Sequence, residues 1–187
     1  PRTAQEALLC GLYAEVTGAE RVGIHDSFFS IGGHSLLAMK VIASLRDKVG
    51  SEIPLRIVFE YPTPEGLASQ ITHNTSWPYN PLLPLQTKGT KLPIFCVHPG
   101  GGFGTVYQNL SRALGPDQPV WAFQARGIGQ EEALHESMDH MIEEYMAAMR
   151  SVQPSGPYTL LGWSAGGTVA HETVSYTHLR AHETLLD

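Results

Sequence analysis

The sequence predicts a multidomain α plus α/β protein: a small helical bundle over residues 1–75, then the first part of a strand–helix sheet over residues 92–174. Three observations carry that expectation. Apolar residues recur at helical spacing through the first segment. A proline-punctuated stretch, residues 76–91, interrupts the pattern. Beyond it, short apolar runs alternate with amphipathic segments, the order that builds an α/β sheet.

In Gln5–Val16 the residues Leu8, Leu9, Leu12 and Val16 share one helical face. A loop with Gly23, Asp26 and Gly32-Gly33 follows. Leu37, Val41, Leu45 and Val49 then mark a second helix ending near Gly50, a residue suited to a left-handed cap. Thr63-Pro64-Glu65 supplies a capping hydroxyl, a first-turn proline and an early acid for a last short helix bearing Leu67 and Ile71. Such short helices suit a bundle. Pro78, Pro81 and Pro84 make residues 76–91 read as a semi-extended linker. From there, Pro93–Val97, Val120–Gln124 and Tyr158–Leu161 read as buried parallel strands, with helices over Tyr107–Leu114 and Met138–Val152 between them. In the second of these helices Met138, Met141, Ile142, Tyr145 and Met149 form an apolar stripe that reads as core packing.

Composition excludes several function classes. Apolar content of 42% with 16% charged residues fits a globular chain, and a net charge of −6 without a Lys/Arg cluster argues against nucleic-acid binding. Cys10 and Cys96 form no paired spacing, so neither a metal cage nor a disulfide framework is expected. No apolar run reaches the roughly 20 residues that span a bilayer, and no signal-peptide pattern opens the chain. A soluble, cytoplasmic protein is expected. The chain opens at Pro1 without an initiator Met and reads as a piece of something longer.

Ser35 stands in Gly32-Gly33-His34-Ser35-Leu36. One reading makes it a helix N-cap, although Ala38 stands where a capping box wants Glu or Gln. The other makes it an exposed hydroxyl between small residues, where a phosphodiester would meet the amides and dipole of a helix start. The run Asp26-Ser27-Phe28-Phe29-Ser30-Ile31-Gly32-Gly33-His34-Ser35-Leu36-Leu37-Ala38 resembles the core motif of peptidyl carrier domains from nonribosomal peptide synthetases. The resemblance covers residues 1–75, with Gly23-Ile24 before the motif and Tyr61-Pro62-Thr63 before the last helix. It implies that Ser35 carries 4′-phosphopantetheine, installed by a phosphopantetheinyl transferase, whose thiol holds a peptide as a thioester. It also implies upstream condensation and adenylation domains as partners. His34 is taken as part of the recognition loop, not as a catalyst.

Ser164 stands in Gly162-Trp163-Ser164-Ala165-Gly166. A lone G-x-S-x-G says little; what counts is a sharp turn from strand to helix that exposes the hydroxyl. Pro157–Leu161 supplies the strand, and Gly166-Gly167 in a helix start implies close backbone approach, since each glycine costs about 1 kcal/mol there. His98-Pro99-Gly100-Gly101-Gly102 follows an earlier strand and either makes an ordinary tight turn or donates a backbone N–H to an oxyanion hole. Gly100 and Ala165 are the expected donors. No phosphate-binding glycine motif fits the spacing. Together, Phe95–Gly102 and Gly162–Gly167 look like a thioesterase domain of the α/β-hydrolase family over residues 92–174. The fold class is thus a helical carrier bundle followed by the N-terminal part of an α/β-hydrolase sheet. The resemblance implies acyl transfer from the pantetheine thiol to catalytic Ser164, then hydrolysis or cyclisation.

Ser164 needs a base, in the order Ser, Asp/Glu, His. The acids after it are Glu172, Glu183 and Asp187; the histidines are His171, His178 and His182. On a continuing helix His178 lies roughly 21 Å and His171 roughly 10 Å along the axis from Ser164, beyond hydrogen-bond reach. His98 belongs to the glycine loop and is a poor base candidate. The triad acid and histidine are therefore expected to be absent. Ala170-His171-Glu172-Thr173 recurs as Ala181-His182-Glu183-Thr184, and residues 175–187 read as an anomalous, non-native tail, as from adapter read-through. Leu185-Leu186-Asp187 stays unassigned. The leading reading is a carrier–thioesterase fragment of a terminal synthetase module. Its rivals are a non-enzymatic acyl carrier with an inactive truncated hydrolase piece, and a free-standing esterase with an unrelated helical domain.

Overall fold

A computed structural model describes residues 1–73, 77–128 and 133–183, with side chains as far as Tyr176. The chain divides into two compact units, Pro1–Tyr79 and Asn80–Asp187.

The first unit is helical: α1 (Ala4–Thr17), α2 (Ser35–Val49), α3 (Arg56–Glu60) and α4 (Pro64–His73). At the start of α1 the Thr3 hydroxyl accepts from the Glu6 amide at 3.1 Å while the Glu6 carboxylate accepts from the Thr3 amide at 3.3 Å, a reciprocal capping box. Gly18 and Gly50 end α1 and α2 in the left-handed region, with φ of 75° and 69°. Thr63 caps α4 as its sequence implies, its hydroxyl accepting from the Gly66 amide at 3.2 Å. Leu9, Tyr13, Phe28, Val41, Leu45, Ile53, Ile57 and Leu67 fill the core. The α3 helix adds Ile57, Val58 and Phe59 to it.

The second unit is a sheet of order β1-β3-β2-β4, from β1 (Leu82–Gln86), β2 (Ile94–Val97), β3 (Val120–Phe123) and β4 (Thr159–Gly162). Strands β3, β2 and β4 run parallel, and β1 pairs antiparallel with β3. Three helices join them: α5 (Gln108–Leu114), α6 (Met138–Val152) and α7 (Ala165–Glu183). Phe95, Val97 and Phe123 project from one face of the sheet into a core with Ile142, Tyr145, Met146 and Met149 of α6 and Val169 and Ala170 of α7. Ala122 points to the other face by strand alternation. There a Cβ added at Gly104, in the 3₁₀ turn Gly104–Tyr107, would lie 3.1 Å from the Ala122 Cβ, so that turn covers the second face.

Four sequence expectations change. Residues 76–91 are not all linker, because Leu82–Gln86 forms β1, with Leu82 and Leu83 fully buried. Pro84 lacks an amide proton, and it fits because β1 is the edge strand, with the register shifting between Pro84 and Gln86. The helix expected over Tyr107–Leu114 begins as the 3₁₀ turn and becomes α-helical only at Gln108. In α6 the buried stripe includes Met146 and excludes Met138, which is exposed in the first turn. Residues 175–183, read as an anomalous tail, continue α7 without a break, and Tyr176 packs on the core with its hydroxyl on the Glu143 carboxylate. Residues 184–187 lie outside the described residues, as do the side chains of His178, His182 and Glu183.

Candidate functional sites

Ser35 is the first residue of α2, and His34 before it holds the N-cap position in extended backbone without a side-chain capping bond. The N-cap reading of Ser35 therefore fails by one residue. The motif in front of it is a set of anchors. Asp26 accepts from the Gly23 amide at 2.7 Å. The Phe28 amide donates to Pro62 at 2.8 Å, and the Phe28 ring, fully buried, lies 4.7 Å from Tyr13 and 5.4 Å from Phe29. The Gly33 amide donates back to the Phe28 carbonyl at 2.9 Å. A Cβ at Gly33 would stand 2.4 Å from that carbonyl, so only glycine fits. Gly32 takes φ of 98° and turns the chain toward α2. Phe28 thus pins the loop from below, and the two glycines present Ser35, half-buried, between exposed His34 and Leu36.

A phosphodiester fits this position. The helix start lacks a side-chain cap, no acidic residue stands in its first turn, and Arg46 and Lys48 lie at the far end of α2. Backbone amides and the helix dipole are left to favour an anion.

Ser164 follows β4 on the turn into α7 and has φ of 56°; among the described residues it is the one non-glycine with positive φ. Strained backbone of this kind holds a side chain where a relaxed turn would not. The flanking glycines explain themselves by contact. A Cβ at Gly162 would meet the Gly166 carbonyl at 2.2 Å, and a Cβ at Gly166 would meet the Val97 carbonyl at 2.4 Å and the His98 carbonyl at 2.6 Å. The start of α7 therefore lies directly on the end of β2. Ser164 itself is exposed beside exposed Trp163.

Because β2 and β4 are parallel neighbours, with Val97 opposite Gly162, the loops leaving their C-terminal ends meet. A Cβ built on Gly100 would lie 3.9 Å from the Ala165 Cβ. Neither the Gly100 nor the Ala165 amide meets a backbone carbonyl among the described residues. The β2 loop is itself a tight turn, closed by the Gly102 amide on the Pro99 carbonyl at 2.9 Å, with Gly102 at φ of 81°. Tyr107 ties the parts together. Its hydroxyl donates to Val97 at 2.7 Å, and burial pushes its pKa up despite a backbone hydrogen bond from Trp163.

His98 is not a base for Ser164. Its ring is buried, with Nδ1 2.8 Å from the Pro99 carbonyl and Nε2 2.7 Å from the Tyr145 hydroxyl. His171 is exposed and pairs at 3.6 Å with its neighbour Glu172. Among the described residues no carboxylate or imidazole is hydrogen-bonded to Ser164. Sequence reasoning missed a half-buried group beyond β3: His135 and Arg126 both bond the Glu144 carboxylate, at 2.9 Å and, from Arg126 Nε, 3.0 Å. Burial alone would raise the Glu144 pKa, but these bonds outweigh it and hold the carboxyl below its ordinary range.

Burial pushes the His98 pKa below its ordinary 6.5, against the raising effect of the Pro99 bond and with a further lowering by His135. Below that pH the unfolded chain takes up a proton that the folded unit resists. Stability from this group is thus fully present above 6.5 and lost as pH falls toward the depressed folded value. Hydrogen exchange of residues 80–128 is expected to quicken between about pH 7.5 and about pH 5, once corrected for intrinsic rates. His98→Asn is expected to flatten that dependence; equal slopes in the two proteins would assign it elsewhere.

The sequence matches two domain families: the phosphopantetheine attachment site over residues 7–71 and the thioesterase domain over residues 92–183. The second match runs past residue 174, the boundary expected for that part. A dimodular nonribosomal peptide synthase of Bacillus subtilis is 45% identical over 187 residues, all of this chain and 8% of the relative. Malpinin synthetase of Mortierella alpina is 41% identical over 191 residues, again all of this chain and 2% of the relative. The chain thus spans less than a tenth of the length of these relatives. Among solved structures, a four-domain nonribosomal peptide synthetase bound to AMP and glycine is 34% identical, with a TM-score of 0.55 over 97% of this chain and 14% of the other. Among the described residues no helix is long and apolar enough to cross a membrane.

Proposed function

We propose a carry-and-release role for this chain, which belongs to the nonribosomal peptide synthetases as a phosphopantetheine-attachment domain followed by a thioesterase domain. Ser35 holds 4′-phosphopantetheine by a phosphodiester, and the arm's thiol carries a peptidyl or aminoacyl group as a thioester. In the intact parent the Ser164 hydroxyl attacks that thioester carbonyl and gives up its proton to a base. The pantetheine thiol leaves and takes a proton, and an ester forms on Ser164. Gly100 and Ala165 N–H groups hold the oxyanion of the tetrahedral intermediate. Water or a nucleophile within the acyl chain then releases the product. The partners are a phosphopantetheinyl transferase and the condensation and adenylation domains that load the arm.

The observation that carries the second half is the backbone at Ser164, the one described non-glycine with positive φ, placed by two glycines against the end of β2. No described residue stands as base to Ser164, so release from this chain is slow. Loading with an acyl-coenzyme A and a transferase, then following the acyl group by intact mass, tests this. The acyl arm is expected to persist, decaying at the same rate in wild type and Ser164→Ala. Faster loss in wild type would mean that a base does reach Ser164.

A further inference from the structure

Tyr145 is buried on α6, in the apolar stripe of that helix, yet its hydroxyl leaves the stripe and ends 2.7 Å from His98 Nε2. Packing alone would be served by phenylalanine. The ring is firmly held: it stacks on Phe123 with centroids 4.2 Å apart and planes 8° apart, and the His135 ring meets it edge-on at 5.8 Å. His135 is fixed in turn by Glu144, which Arg126 also grips. The Tyr145 hydroxyl therefore arrives at His98 from a rigid support.

The other side of His98 faces the loop. Its Nδ1 lies 2.8 Å from the Pro99 carbonyl, which can only accept. Nδ1 must then carry the proton, Nε2 must be the bare acceptor, and Tyr145 must donate to it. The Pro99–Gly100 peptide is trans, since the chain's one described cis bond is Gly156–Pro157. In a planar trans peptide the C=O and the following N–H point in opposite directions. A donor fixed on the Pro99 oxygen thereby fixes the direction of the Gly100 N–H. The Gly102 amide grips the same oxygen at 2.9 Å from within the loop, and His98 grips it from the core.

We infer that Tyr145 and His98 form a positioning relay: the tyrosine hydroxyl, donating to Nε2, holds the histidine ring in place, and the ring's Nδ1–H sets the Pro99–Gly100 peptide so that the Gly100 amide faces the oxyanion. The relay rests on the reading of Gly100 as an oxyanion donor and extends it to residues that touch neither substrate nor arm. Phenol to phenyl at position 145 removes the hydroxyl and keeps the ring, leaving a buried Nε2 without its donor and the imidazole without its anchor on the core side. Asparagine at position 98 places an amide N–H near the Nδ1 position and carries no ring that a tyrosine must hold.

Nitrogen-15 NMR of the full chain tests the relay. In the wild type the His98 ring is expected to show protonated Nδ1 and bare Nε2. Tyr145→Phe is expected to shift the His98 Nε2 resonance, which loses its donor, and to displace the Gly100 amide resonance. His98→Asn keeps the Gly100 resonance near its wild-type position, and adding Tyr145→Phe to it moves that resonance no further. An Nε2–H tautomer in the wild type overturns the relay and needs no variant to fold. A Gly100 resonance displaced equally by Tyr145→Phe in the wild-type and His98→Asn backgrounds also overturns it. Phenylboronic acid, which forms an anionic adduct on a nucleophilic serine, separates this from the underlying reading. The adduct is expected to shift the Gly100 and Ala165 amides, and Ser164→Ala is expected to abolish the shift. Unmoved amides with the Nδ1–H tautomer intact overturn the oxyanion role of Gly100, and with it the function given to the relay.

Discussion

Ser35→Ala is expected to abolish the mass gain of one phosphopantetheine when the chain is treated with coenzyme A and a phosphopantetheinyl transferase. The loss should be complete, because the phosphodiester needs that oxygen and no neighbour can supply it in the same place. Ser30 is held within the Ser27–Ile31 turn, its amide on the Ser27 carbonyl at 2.9 Å. The fold should not be what fails. Alanine is the better helix former at a first-turn position, and a change on this surface should alter stability by no more than about 0.5 kcal/mol. Circular dichroism of the variant should match the wild type. A mass gain that survives in Ser35→Ala would place the arm elsewhere.

Gly166→Ala carries the second large effect. The added methyl would stand 2.4 Å from the Val97 carbonyl and 2.6 Å from the His98 carbonyl, both backbone atoms at the end of the central strand β2. Neither can yield as a flexible side chain would. Overpacking against movable neighbours costs about 1–3 kcal/mol, and against backbone the cost should lie at the upper end or beyond. For a unit of this size about 3 kcal/mol corresponds to a fall of roughly 12–24 °C in its melting temperature. The second unit is expected to lose exchange protection from β2 through α7, while residues 1–73 keep theirs. Gly100→Ala offers the contrast, since its Cβ would meet the Ala165 Cβ at an ordinary 3.9 Å. That variant should fold as the wild type does. Similar stability losses at 166 and 100 would contradict the close contact of helix and strand.

Much of this was legible in the sequence, for local reasons. The carrier loop could be read because its determinants lie within about a dozen residues. Asp26 caps, Phe28 pins and Gly33 packs over Phe28 in one continuous run, so motif and structure coincide. The Ser164 turn was legible in the same way, because Gly162 and Gly166 must be small for contacts made within a few residues and at the end of β2. What the sequence hid is non-local. Leu82–Gln86 reads as a linker because Pro84 interrupts it, and only pairing with β3 some 40 residues later makes it a strand. Nothing in His98, set in a glycine loop, or in Tyr145, set in a methionine-rich stripe, announces that they meet across 47 residues. Met138 fits the helical period of α6 yet lies exposed as the first residue of that helix. Periodicity assigns a face to a residue but not the extent of the surface opposite.

Carriage and release both depend on where the arm is attached. Peptide mapping by mass spectrometry of the wild-type chain, after coenzyme A and transferase, tests that directly. One phosphopantetheine is predicted on the peptide containing Gly33-His34-Ser35, with fragment ions placing it on Ser35 and none on the peptide containing Ser164. An unmodified chain that is folded over residues 1–73, or an arm mapped to any other serine, would contradict it.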